Sequence, residues 1–281
     1  MSSPKSSLLP LRFHCTFKPE RAHIHSLMAF VASGQKGTTQ EISEATNIPM
    51  GKSTGKVKPT IGYCTGMWLI ANSSEKQTTG VKEFMLTPFG KKVFLEDPYL
   101  RLPTTQWIAH LFLCHPLSGA KAWVHTFADG FPTPLSWQFT PKQLQTHLEA
   151  FFEGKNLDGP MIGMYNDSAS FELCGALKKN GKVLERVSPP INEETIAGYG
   201  AWFLQLLDDF FPDTPQVPLS AFQRSTKWTN ITAWTNNEQV MLFTQWESRG
   251  LISIDRHMTP WLITRRCTAD QVWPHIYDDI L

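Results

Sequence analysis

Between residues 20 and 86 the chain shows three short helical patterns, then two apolar runs separated by a polar stretch. Each boundary carries a residue that starts or stops an element. Residues 20–33 (ERAHIHSLMAFVAS) place Ile24, Leu27, Met28 and Val31 at amphipathic-helix intervals and end at Gly34, suited to a left-handed helix terminus. Thr38, Thr39, Gln40 and Glu41 then read as a capping box, with the threonine hydroxyl on the N3 amide and the glutamate reaching back. That box opens a short helix through Thr46 that buries Ile42 and Ala45. After the turn Asn47-Ile48-Pro49, Val57, Ile61 and Cys64 recur at helical spacing up to Gly66. Pro59 fits the first turn of this third helix, where its missing N–H costs nothing; a helix starting near Ser53 would be kinked there. MWLIA and KEFML read as strands around the polar tip NSSEKQTTGV, and residues 87–97 read as a closing helix. Helix, short helix, third helix, strand, polar loop, strand is the order of a winged helix-turn-helix.

Charge adds a chemical reading. The whole chain carries only +1, but residues 34–92 hold eight lysines (36, 52, 56, 58, 76, 82, 91, 92) against four acids (41, 44, 75, 83). Residues 192–215 hold five acids and no base. A basic end suggests a face that meets phosphate. The expected DNA-facing donors are Lys36, Thr38, Thr39 and Gln40 around the second helix, then Lys52, Ser53, Thr54, Lys56, Lys58 and Thr60 on the third. Lys76, Gln77 and Lys82 belong to the wing. Winged helices also dock proteins, so an adaptor role using the acidic helix 193–211 stands beside the DNA reading.

Enzymatic motifs are missing from the sequence pattern. Gly51-Lys52-Ser53 resembles the end of a phosphate-binding loop, but the glycine required five positions earlier is Thr46. His110 and Cys114 share a face of an apolar helix without further ligands beside them, which reads as a core histidine next to a buried thiol. No catalytic residue, metal or cofactor is expected. Five scattered cysteines and no apolar run of about 20 residues point to reduced thiols in a cytoplasmic protein.

The remainder reads as helical to about residue 152, including a capped helix after Thr140-Pro141. A hairpin at 171–177 and 182–187 follows, then a long helix at 193–211. Residues 236–248 form a further helix, with Val240, Phe243 and Trp246 near one stripe, and LISI and WLITRR follow as strands. This echoes the first module and suggests a second winged helix. The expected fold is mainly α with small β-hairpins, divided at 1–97, 98–215 and 216–281.

Residues 13–70, from FHCTFKPERAHI through IPMGKSTGKVKPTIGYCTGMWLI, resemble the N-terminal signature of the bacterial domain-of-unknown-function 4007 family. The matching positions are Phe17 to His23 and Pro49 to Ile70. The resemblance implies a helix-turn-helix-like start and a place in DNA phosphorothioation or phage-defence systems, often beside sulfurtransferase-like enzymes. It supplies no active-site residues. The reading is therefore a non-catalytic subunit that binds double-stranded DNA and positions a partner enzyme. The alternatives are a protein adaptor or a repressor of its own operon.

Overall fold

The Thr38 capping box forms as its sequence dictates: Glu41 N–H donates to Thr38 Oγ1 (3.3 Å) and Thr38 N–H donates to Glu41 Oε2 (2.7 Å). The computed structural model describes residues 8–51, 55–73, 80–152, 158–257 and 259–280. In the N-terminal unit, α1 (Arg21–Ala32) buries Ile24, Leu27, Met28 and Val31, as its spacing predicts. Helix α2 (Thr39–Thr46) buries Ile42 and ends at Asn47 in the left-handed conformation (φ 57°); Ala45 is exposed. Helix α3 (Val57–Gly66) carries Pro59 in its first turn. Strands β1 (Ile70–Asn72) and β2 (Phe84–Leu86) pair antiparallel, and a bridge joins Gly37 to Lys82 beyond them. Helix α4 (Pro88–Glu96) closes the unit, with Thr87 Oγ1 accepting Gly90 N–H.

Gly90 marks the closest approach within this unit. A Cβ there would lie 1.8 Å from the Leu69 carbonyl oxygen. Gly90→Ala must push α4 off the start of β1, and the expected loss is about 2–3 kcal/mol, as for an overpacked core. An unchanged urea midpoint for that variant would refute this packing.

The middle segment begins with α5 (Pro103–Leu113), buried over its whole length from Thr104. Helix α6 (Lys121–Trp123) continues as a π-helical turn at Val124–Asp129. Next come β3 (Gln138–Phe139), α7 (Pro141–Glu149), α8 (Asp158–Met164), β4 (Leu177–Asn180) and β5 (Val183–Arg186), in sheet order β3-β5-β4. The hairpin exists, but its first strand starts where the expected one ends. Phe171 and Cys174 lie in turns, where Cys174 N–H donates to Gln106 Oε1 (3.0 Å) rather than to a strand. Strand β3 falls just before the Thr140-Pro141 cap, in a stretch with no helical spacing of its own.

The last segment runs α9 (Glu193–Phe210), β6 (Gln216–Pro218), α10 (Leu219–Thr226), α11 (Trp228–Thr232), α12 (Asn236–Ser248), β7 (Ile252–Asp255), β8 (Leu262–Arg265) and α13 (Ala269–Val272). Its sheet order is β6-β8-β7, so the strand before α10 pairs with the last strand of the hairpin. The Gly37–Lys82 bridge is the one-residue counterpart in the N-terminal unit. Helix α9 precedes β6 as α1 precedes the Gly37 bridge.

A local device recurs as well. Thr46, Thr226 and Thr232 each donate a hydroxyl to the carbonyl four residues back and accept the amide two residues on. Asn47, Lys227 and Ala233 between them are left-handed. The side chain thus ends a short helix and aims the next one.

The three segments share one apolar core. Trp273 meets Phe89 (5.3 Å between centroids) and Phe112 (5.8 Å) at tilted angles, tying α4 and α5 to the C-terminal turn. The protein is α+β, about half helical with small antiparallel sheets.

Candidate nucleic-acid interface

The N-terminal candidates scatter over different environments. Lys36 is exposed and faces Glu83 at 3.8 Å. Thr38 is consumed by its capping box, Thr39 is half-buried, and Gln40 donates to Glu44 Oε1 (2.7 Å). Lys56 pairs with Glu20 and lies 5.8 Å from the centre of the Phe17 ring, so it is neither unopposed nor outward. Thr60 is buried, its hydroxyl donating to the Lys56 carbonyl (2.8 Å). Lys58 is exposed at the start of α3, and Lys82 is half-buried in the bridge to Gly37. Lys52, Ser53, Thr54, Lys76 and Gln77 lie outside the described residues.

The larger correction concerns α3 itself. It is covered on a second side by residues 9–17 and by the middle segment. A Cβ on Gly62 would meet Phe13 Cδ2 at 2.5 Å, and one on Gly66 would meet Leu9 Cδ1 at 2.6 Å and Leu113 Cδ2 at 3.0 Å. The Tyr63 hydroxyl donates to the Phe17 carbonyl (3.0 Å), and its ring meets Trp123 edge-on. The covering segment is itself anchored, since Leu9 N–H donates to the Gly119 carbonyl (2.9 Å). Lys58 is the exposed residue of this helix. A helix held from both sides cannot lie along a major groove, about 12 Å wide, without release of that cover.

The corresponding helix of the C-terminal unit is open. Helix α12 buries Gln239, Leu242, Phe243 and Trp246, and Trp246 Nε1–H donates to the Ile196 carbonyl (2.9 Å). Val240, expected to point inward, is 39% exposed. With Asn236, Asn237, Met241, Thr244, Gln245 and Ser248 it forms an outward face of amides, hydroxyls and two apolar side chains. No charge stands among these positions. Both carboxylates of the helix are committed elsewhere: Glu238 caps Thr235, and Glu247 accepts from Arg256 (2.7 Å) and from Ile254 N–H (2.7 Å). The signal was in the sequence: Leu242, Phe243 and Trp246 fix the inner stripe, which puts residues 237, 241, 244 and 248 opposite.

Comparison with solved structures is consistent with this architecture. The chain superposes on two structures described as "SspB crystal structure" and "Magnesium ion-bound SspB crystal structure". Each gives a TM-score of 0.70 at 14% identity; the first covers 98% of this chain and 90% of that one, the second 99% and 91%. At that identity the likeness is one of fold. No family model and no curated protein matches the chain. The second of those structures holds magnesium. Among the described residues here, no three His, Cys, Asp or Glu side chains group so as to hold a metal ion.

The other sequence candidates resolve into packing. His110 is buried, with Nδ1 2.6 Å from the Tyr165 hydroxyl and Cys114 Sγ 3.8 Å from its ring nitrogens. In the acidic helix 193–211, Glu193, Glu194 and Asp209 are exposed. Most of α9 is buried, Asp208 pairs with Arg265, and Asp209 lies 3.1 Å from His115. No helix among the described residues is long and apolar enough to cross a membrane.

Proposed function

We propose that this chain is a non-catalytic DNA-binding subunit of a DNA-modification or phage-defence system, built from two winged helix-turn-helix units. The reading is carried by the outward face of α12, the third helix of the C-terminal unit. Asparagine and glutamine present paired donor and acceptor groups that match adenine N6 and N7, and apolar side chains suit the thymine methyl. Asn237 and Gln245 supply the amides, and Val240 and Met241 supply the apolar contacts. Lys58 and Lys36 on the N-terminal unit add phosphate contacts. The resemblance of residues 13–70 to the domain-of-unknown-function 4007 family supplies the biological setting and a sulfurtransferase-like enzyme as the partner to be positioned.

The test is duplex binding by fluorescence anisotropy across a salt series. Asn237→Ala with Gln245→Ala is expected to weaken the preferred duplex by about 1–3 kcal/mol per base pair read, and to do so by loss of sequence discrimination. Lys58→Ala is expected to weaken all duplexes alike and to reduce the salt slope by about one. Equal affinity of wild type and the double α12 variant for every duplex would sink the assignment.

A further inference from the structure

A depression of about 530 Å³ lies where α10 faces the end of the π-helical turn, lined by Ala128, Asp129, Ser220, Gln223, Arg224, Lys227 and Asn230. None of these belongs to α12. Ser220, Gln223, Arg224 and Lys227 fall at i, i+3, i+4 and i+7, so the end of α10 turns one row of donors into the depression. Arg224 is exposed and makes no hydrogen bond or ion pair among the described residues. Asp129 is the single carboxylate. It is held between His125 Nδ1 (2.7 Å) and the Lys227 ammonium, and the His125 hydrogen bond, with that of Lys227, lowers its pKa to about 2. The Asn230 amide donates to the Ala128 carbonyl (2.9 Å), fixing one wall to the other.

Two backbone irregularities meet at this place. Lys227 is a non-glycine residue in the left-handed region (φ 52°), and the opposite wall is π-helical. Behind the wall, Arg186 donates to the carbonyls of Asn230 and Ile231 with no carboxylate partner among the described residues, which adds a buried positive charge.

We propose that this depression binds a nucleotide-type phosphate ester, with the phosphate on Arg224 and Lys227 and a hydrogen-bond donor of the same ligand on Asp129. The two signs of charge select the class. A guanidinium with its donors free suits phosphate oxygens, and inorganic phosphate alone leaves the ionised carboxylate facing an anion. A nucleoside monophosphate offers sugar hydroxyls or a base amine to that carboxylate. The volume falls in the range of small-ligand pockets, roughly 300–1,000 Å³.

The experiment titrates adenosine monophosphate, adenosine and inorganic phosphate into the full chain by calorimetry or NMR. Saturable binding of the monophosphate is expected, with weaker binding of either part alone. Arg224→Ala, at an exposed position, is expected to weaken the monophosphate about tenfold without changing the fold. Asp129→Asn should reduce the preference for the monophosphate over phosphate. No saturable binding at millimolar monophosphate, or equal affinity in wild type and Arg224→Ala, overturns the site. Single strands with a 5′-phosphate or a 5′-hydroxyl, competed against the monophosphate, assign the source. Competition only by the phosphorylated strand makes the ligand a DNA end, and competition by neither makes it a free nucleotide. Duplex affinity is measured separately, so a chain that ignores duplex DNA but binds the monophosphate separates this site from the preceding reading.

Discussion

Arg186→Met is expected to destabilise the protein by about 3–5 kcal/mol, the scale for removing one member of a buried charged network. The guanidinium is 4% exposed and donates to the carbonyls of Phe127 (3.2 Å), Asn230 and Ile231 (2.7 Å). Its guanidinium carbon lies over the rings of Phe127 (5.0 Å to the centroid) and Phe131 (4.4 Å). Burial lowers its pKa only to about 10, so it stays charged at neutral pH. The acceptors come from two elements, the π-helical turn and the C-terminal end of α11, where unpaired carbonyls favour a cation. One side chain from β5 therefore joins the middle sheet to the C-terminal unit. Methionine fills a similar volume but leaves three buried carbonyls without donors, each a loss of about 1–3 kcal/mol before relaxation. Lysine is not expected to rescue, because one ammonium cannot reproduce the planar fork. Urea unfolding of Arg186→Met and Arg186→Lys checks both statements. A midpoint for either variant equal to wild type would show that the three carbonyls find other partners.

How far these features can be read from sequence depends on their range. The Thr38 and Thr140 boxes, Pro59 in a first turn and the buried α5 follow from residues within one turn of each other, and all are present. The covering of α3 is different. Its apolar spacing is the same whether one side or two are covered, and the second cover comes from Leu9, Phe13 and Phe17, whose arrival no local pattern encodes. Strands β3 and β6 span two and three residues, too short for alternation to register. On α12, the set 240, 243 and 246 and the set 239, 242, 243 and 246 both fit a helix. Leu242 packs inward and leaves Val240 outside. Tertiary contacts thus choose among helix faces that local spacing leaves equivalent: they cover α3 on two sides and leave the 237, 241, 244 and 248 face of α12 open. The pocket beside α10 was not legible at all, because Asp129 and Lys227 lie 98 positions apart.

Mild acid is expected to unfold this protein through two buried histidines. His14 and His110 are 2% and 1% exposed, and burial lowers their pKa values from 6.5 to about 4 and about 3. Neither ring nitrogen of His14 has a hydrogen-bond partner among the described residues. His110 sits at the end of a chain in which Trp123 Nε1–H donates to the Tyr165 oxygen (2.8 Å) and the Tyr165 hydroxyl can donate to His110 Nδ1. Only the neutral imidazole accepts there, since the imidazolium has donors at both nitrogens. In the unfolded chain both rings titrate near 6.5. Above that pH both states are neutral and the full stability is present. Below it the unfolded chain takes up protons that the folded chain refuses, and stability falls until the folded pKa values are reached. The slope is about 1.4 kcal/mol per pH unit for each ring. Two rings over about two pH units remove roughly 5 kcal/mol, comparable with the whole net stability of many domains. Urea unfolding at several pH values below 6.5 should show this slope, and His14→Phe should cut it by about half, the share of one of two equal rings. A stability that stays level from neutral pH down to about 5 would mean that both rings reach solvent or a counter-charge in the folded protein.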